Sequence, residues 1–412
     1  MELHIKTRYV LVGDDLQVKE NAIITIDVES GMITSIEKSW SSRGIIEIPS
    51  SIAIPTLVNS HLHILDAAFP ELGEGLPPEE LVALPYGLKY RMLRRLNERI
   101  IRENVKAIFK SLMNQGCAIF CTYVEEGKYN LKILKDVARE FHGIHAILLA
   151  QGNWKNLCEE KVIQILNELL EEADGIGLDT VFDFHQTLMA KVNQIVKGIG
   201  RHVHVHVSET PSLNYRRDVE YVVTYLKPQA IIHGTYLRES DISLLRDVGC
   251  SWIICPRSNA LLVHNIPSIK LIIKVIDNGV NVCLGTDNVA WNDVNLWREM
   301  NFLYVMSRLL SKDNDPADVA RKILFMATIA PRRLFDLKNH LKGIDEGMEA
   351  NLIVIAGSFV NYSHNIYVSL VKRVCSEHVR FMFVNKYVYV KGREYVLEEA
   401  IRNNIFDMYS RW

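Results

Sequence analysis

Several features are scarce or absent in this 412-residue chain, and each scarcity excludes something. No apolar run approaches the roughly 20 residues that a helix needs to cross a bilayer. The start, Met1 to Gly13 (MELHIKTRYVLVG), shows no basic stretch followed by an apolar core and a small-residue cleavage site, so the cytosol is the expected location. Excess charge is also missing. Lys plus Arg number 47 against 49 Asp plus Glu, a formal charge of −2, so nothing advertises nucleic acid or an anionic membrane as a partner. A small molecule is expected instead. The seven cysteines are an odd number without the paired spacing of a zinc knuckle, and most sit in apolar runs such as CAIFC and CSWIIC, which predicts buried free thiols. Neither G-x-G-x-x-G nor a Walker loop follows the first apolar run of the central region, which argues against an open dinucleotide-binding sheet.

What is present is apolar content of 48 %, enough to bury one large core and leave material for a smaller one. The first residues alternate and turn like short antiparallel strands: HIKTRYVLVG, NAIITIDVES and GMITSIEKS. The last stretch has the same texture in ANLIVIAG and VRFMFVNKYVYVKGREY, so the two chain ends are expected to share a small β-sandwich module, residues 1–53 with 344–398. Between them, over 54–343, eight short β-branched runs alternate with amphipathic helical patterns: IPTLVNSH, CAIFCTYV, IHAILLAQ, GIGLDTVF, HVHVHVSE, QAIIHG, CSWIICP and NVCLGTD. Eight βα units predict an α/β fold, a closed (β/α)8 TIM barrel; an open doubly wound sheet fits the alternation nearly as well. Helical patterns are expected at 90–114 and 212–226 among others, at 316–337 after the barrel, and over 399–412 as a C-terminal helix.

Titratable residues favour the barrel, because barrel enzymes place their chemistry where strands end. His61 and His63 end the first run, His206 and Glu209 the fifth, His233 the sixth and Asp287 the eighth. Residues two apart on a strand share a face, so His61 and His63 can present two imidazoles together. Each feature has a bland alternative. A lone H-x-H can serve packing; His233 can be a satisfied core histidine; Asp287 in GTDN can cap a helix. His202, His204 and His206 share one face, but only His206 lies at the strand's carboxyl end, so His204 is expected as an interior layer residue and His202 as a partly exposed one. All the bland readings would have to hold together, each at the same end of a barrel strand.

These residues resemble the amidohydrolase superfamily, in the branch of cytosine, guanine and S-adenosylhomocysteine deaminases and triazine chlorohydrolases. The resemblance spans nearly the whole chain and rests on VNSHLH, HVHVSE, IIHG, CPRSN and LGTDNVAWNDVNLWREM. Within the branch, GLPPEELVALPYGLKYRML with PRSN and GTDN looks most like a set of archaeal amidohydrolases. The resemblance implies that His61, His63, His206 and Asp287 hold one divalent metal, Zn2+ or Fe2+, with Asp287 also accepting a proton. Glu209 would protonate a ring nitrogen of the substrate, and His233 would orient the attacking hydroxide. One metal is implied because two-metal members bridge their ions through a carboxylated lysine on the fourth strand, and GIGLDTVF has none.

Departures from the branch's pattern bear on specificity. Asn288 and Trp291 stand where adenosine-type deaminases commonly read GTDG followed by small residues. Asp66, Tyr86, Lys89, Arg91, Arg257 and Asn259 lie in loops after strands one and seven and are candidate substrate contacts; alternatively, Arg91 belongs to a solvated basic face and Asn259 caps a turn. Deamination of a purine, pyrimidine or related heterocycle is the expected reaction. Hydrolysis of a cyclic amide or amidine, or displacement of a non-amino group, is the alternative, and a noncatalytic metal-binding protein would lack one of these groups. A homodimer is compatible with the sequence, although no particular residue points to one.

Overall fold

The computed structural model describes residues 1–38, 45–180, 182, 184–310, 314–337 and 343–410. Val181 in the fourth run, residues 338–342 around the barrel's expected end, and Arg411 and Trp412 lie outside the described residues.

The amino-terminal strands are β1 (Glu2–Val12), β2 (Gln17–Asp27), β3 (Met32–Lys38), β4 (Ile45–Glu47) and β5 (Ser51–Pro55). A parallel sheet follows, made of β6 (Leu57–His63), β7 (Cys117–Val124), β8 (His145–Gln151), β9 (Gly175–Leu178), β10 (His202–Val207), β11 (Ala230–His233), β12 (Ser251–Ile254), β13 (Val282–Leu284) and β14 (Asp287–Asn288). The carboxyl-terminal strands are β15 (Asn351–Ala356), β16 (Val379–Val384), β17 (Tyr387–Val390) and β18 (Arg393–Val396).

The parallel sheet runs in the order β13-β12-β11-β10-β9-β8-β7-β6-β14. Its two outermost members are successive pieces of one segment, so the sheet curls round on itself in the manner of a TIM barrel. At the crossing, Gly285 N donates to Ile254 O at 2.9 Å and Thr286 N to His61 O at 3.0 Å. A Cβ on Gly285 would lie 2.9 Å from His61 O, so no larger residue fits between these strands. Every residue of β7 is buried, which is why CAIFCTYV reads as a continuous apolar run rather than an alternation: helices cover one side and neighbouring strands fill the other. The helix Glu98–Asn114 shows the covering layer. Ile101, Val105, Phe109 and Leu112 face the sheet, each contributing about 1.5–3 kcal/mol of burial.

Two expected helices are interrupted. The pattern over 90–114 breaks between Leu88–Leu93 and Glu98–Asn114 because Asn97 is extended and its side chain accepts from Ile100 N as an N-cap. The pattern over 212–226 breaks at Arg217, whose φ of +58° is left-handed, and then passes into a π turn over Val222–Leu226. The pattern after the barrel appears as Pro316–Leu334.

The two chain ends do share one sheet: β15 pairs antiparallel with β5 on one side and β16 on the other. The expected sandwich is, in hydrogen-bonding terms, a single sheet ordered β18-β17-β16-β15-β5-β1-β2-β3. The physical reason is the length of β1, which pairs with β2 along one edge and with both β4 and β5 along the other, tying the halves together. β5 reaches Pro55 and β6, the first strand of the parallel sheet, begins at Leu57. The terminal helix is two short ones, Leu397–Arg402 and Ile405–Ser410, and Phe406 stacks on Phe383 with ring centroids 5.9 Å apart. Five of the seven cysteines are buried and all are free; Cys158 and Cys375 are exposed. Among the described residues no helix is long and apolar enough to cross a membrane.

Candidate active site

The barrel's strand ends bring together residues far apart in sequence. His61 and His63 come from β6, His206 from β10 and Asp287 from β14, and one ligand atom from each lies within 4.8 Å of all the others. His61 Nε2 is 3.2 Å from both Asp287 Oδ1 and His206 Nε2, and His63 Nε2 is 3.5 Å from the same carboxylate oxygen. All four side chains are buried. Burial brings the His61 imidazole down to about 4 and His206 well below its ordinary value, so their nitrogen lone pairs are free to bind a cation at neutral pH. Burial alone would raise Asp287, but the His61 hydrogen bond and the surrounding imidazoles hold it well below the carboxylate range. Three imidazole nitrogens and an ionised carboxylate converging in a buried place are a donor set that suits Zn2+ or Fe2+.

Backbone conformation helps aim these groups. His233 and Asp287 both sit at positive φ, +69° and +61°, a left-handed conformation that costs a non-glycine residue about 1–2 kcal/mol. Each is held by a further contact. Trp252 Nε1 donates to the His233 carbonyl at 2.9 Å, and Ser258 Oγ donates to Asp287 Oδ2 at 2.5 Å.

Glu209 and His233 face each other beside the convergent set, Oε1 to Nε2 at 3.7 Å. The Asn259 amide donates to His233 Nδ1 at 3.0 Å, which leaves the ring's proton on Nε2, the nitrogen toward Glu209. Burial raises the Glu209 carboxyl, favouring its protonated form. Both residues open onto a cavity of about 340 Å³, which His63, His206, Asp287 and Asp179 also line. A larger groove between the helix Glu98–Asn114 and the β module touches none of these groups.

The remaining candidates divide by position. Lys89, Asn288 and Trp291 line the cavity, with the Trp291 indole fixed by donation to Leu72 O at 2.8 Å. Asn259 lies behind His233, and Asp66 lies against Lys89 at 3.0 Å. Arg257 is engaged with Asp293 at 2.8 Å and does not line the cavity. Tyr86, 81 % exposed, and Arg91 do not line it either. The helix Leu88–Leu93 buries Lys89, Tyr90 and Leu93, which turns Arg91 to the solvent side. His204 is fully buried in the barrel interior and His202 partly so.

Three residues near the site went unremarked in the sequence reading. Glu125 accepts from His63 Nδ1 at 2.6 Å. Asp179 lines the cavity 3.7 Å from His206 Nδ1, takes hydrogen bonds from Tyr90 and Gln151, and is pushed up to about 6 by burial. Ser258 steadies Asp287. Glu125 and Asp179 each follow the last residue of a barrel strand, so the rule that singled out His206 and Asp287 also applied to them.

This fold and site define a class. Residues 52–394 match the amidohydrolase family, and the chain belongs to it. Among its relatives, an uncharacterised protein of Methanocaldococcus jannaschii is 26 % identical over 90 % of this chain and 95 % of its own length. The 5-methylthioadenosine/S-adenosylhomocysteine deaminase of Clostridium tetani is 25 % identical over 98 % of this chain and 94 % of its own. Among solved structures, the atrazine chlorohydrolase of Arthrobacter aurescens, complexed with zinc, superposes with a TM-score of 0.78 at 19 % identity, covering 98 % of this chain and 99 % of that one.

Proposed function

We propose that this amidohydrolase is a hydrolytic deaminase of an amino-substituted purine, pyrimidine or related heterocycle, with one divalent metal, Zn2+ or Fe2+, held by His61, His63, His206 and Asp287. The observation that carries the reading is the pairing of Glu209 with His233 at 3.7 Å on the cavity that the ligand set also lines. The deaminase relative supports it across nearly the full chain. A metal bound there acts as a Lewis acid and lowers the pKa of a water toward neutrality.

Glu209, whose carboxyl burial shifts toward its protonated form, donates to a ring nitrogen and makes the adjacent carbon electrophilic. The His233 Nε2 proton would orient the incoming oxygen and stabilise charge developing on it. Asp287, ionised by its imidazole neighbours, accepts the proton released as the oxygen adds and passes it to the amino group, which departs as ammonia, while the remaining hydroxyl proton replaces the one Glu209 gave to the ring. Asn288 and Trp291 shape the wall against which the ring lies. The same groups can open a cyclic amide or displace a non-amino group. A small heterocycle is the proposed partner and the cytosol the proposed location.

Ammonia release from a panel of aminopurines, aminopyrimidines and their nucleosides, using enzyme of measured metal content, tests this. Release by metal-loaded enzyme supports the reading. Silence across the panel with metal bound favours the cyclic amide or non-amino alternative, and enzyme that retains no metal refutes the ligand set.

A further inference from the structure

Behind His63 lies a second cluster of potential metal ligands. His63 Nδ1, Asp66 and Glu125 each offer a ligand atom, all within 4.8 Å of one another, and all three residues are buried. One ammonium sits among them and serves both carboxylates. Lys89 Nζ is 3.0 Å from His63 Nδ1, 3.0 Å from Asp66 Oδ2 and 2.7 Å from Glu125 Oε1, and the lysine itself is only 3 % exposed. Asp66 Oδ1 and Glu125 Oε2 are buried without a hydrogen-bond partner, so the cluster has more acceptor capacity than the ammonium uses.

Charge explains the arrangement. Two buried carboxylates without a counterion are strongly destabilising, and a single cation between them removes most of that penalty. A lysine serves where a divalent ion otherwise could. With His63 donating its Nδ1 proton to Glu125, the cluster carries Lys89⁺, Asp66⁻ and Glu125⁻, a net single negative charge. Adding ionised Asp287 gives two negative charges, which one divalent ion at the front of His63 neutralises.

We propose that Lys89 is a resident cation that fills a second metal pocket built from Asp66, Glu125 and, once an entering ion displaces its proton, His63 Nδ1. It keeps the site mononuclear and holds Glu125 where that carboxylate fixes the His63 ring with Nε2 forward. Lys89 is thus a positioning residue, although it also lines the cavity. The inference rests on reading His61, His63, His206 and Asp287 as the metal set, and its test is read in metal content rather than turnover.

Wild type, K89A, K89R and K89A/E125Q are saturated with Zn2+ or Co2+, freed of loose metal, and analysed for metal per folded chain and for the Co2+ absorption spectrum. K89A is expected to double the metal-to-chain ratio and to add a second Co2+ signature, as a divalent ion enters between the carboxylates in place of the ammonium. K89R keeps the charge and stays at the wild-type ratio; K89A/E125Q removes a ligand and returns to it. If K89A does not fold, K89S, which also removes the ammonium and keeps all three ligands, is expected to take up the extra ion. A wild-type ratio and unchanged spectrum in K89A, or in K89S where that variant is used, overturns the proposal. Wild type that binds no metal at all overturns the ligand set instead.

Discussion

Replacing Glu209 by glutamine separates proton donation from everything else the site does. The substitution keeps the side chain's shape and removes the acidic proton. A positioned general acid is worth about 10²–10⁴ in rate, or roughly 3–5 kcal/mol at 1.36 kcal/mol per decade. The structure argues against substitution by a neighbour. Asp287 is held ionised and has no proton to give, while Asp179 is tied to Tyr90 and Gln151. A fall in kcat of about a thousandfold is therefore expected. Metal content should be unchanged, because Glu209 is not part of the convergent set. Stability should hold or improve at neutral pH, since burial disfavours the ionised carboxylate that the amide replaces. The assay is ammonia release on the best substrate of the panel, with metal analysis and thermal melting on the same sample. An E209Q enzyme within tenfold of wild type would refute the acid role, and loss of metal would mean that Glu209 belongs to the metal set.

Two further predictions concern stability. In metal-stripped protein, His61 takes its proton near pH 4 when folded but at its ordinary 6.5 when unfolded, so stability present above pH 6.5 is lost as pH falls toward 4. The loss is on the order of 3 kcal/mol, with His206 acting in the same direction, and a melting temperature of stripped protein that stays flat across this window contradicts the shift. In the β module, Phe406 packs against Phe381 and Phe383 with centroids 5.4 and 5.9 Å away, so F406A should cost about 3–5 kcal/mol in denaturant unfolding. A cost below about 1 kcal/mol would show that the terminal helices are not part of that core.

By itself the sequence determined the barrel's strands and the identity of the residues at their ends. Fully buried parallel strands must be apolar throughout, so CAIFCTYV stands out as a run, and polar residues at strand ends stand out against that background. His61, His63, His206 and Asp287 were legible for this reason, and the structure brings their ligand atoms within 4.8 Å of one another. The likeness in HVHVSE and IIHG is what implied roles for Glu209 and His233, which spacing alone does not supply.

Tertiary structure alone decided the rest. Lys89 and Arg91 are two residues apart in one basic stretch, and only the helix's packing buries the first between Asp66 and Glu125 while leaving the second in water. Arg257 lies near the site in sequence, yet Asp293 draws it away. The module's single sheet depends on β1 pairing along both edges, a long-range register that local alternation does not encode. Local patterns record which face of an element is buried. Which charges meet there depends on how distant elements pack, because a carboxylate's partner is set by distances in space and not by position along the chain.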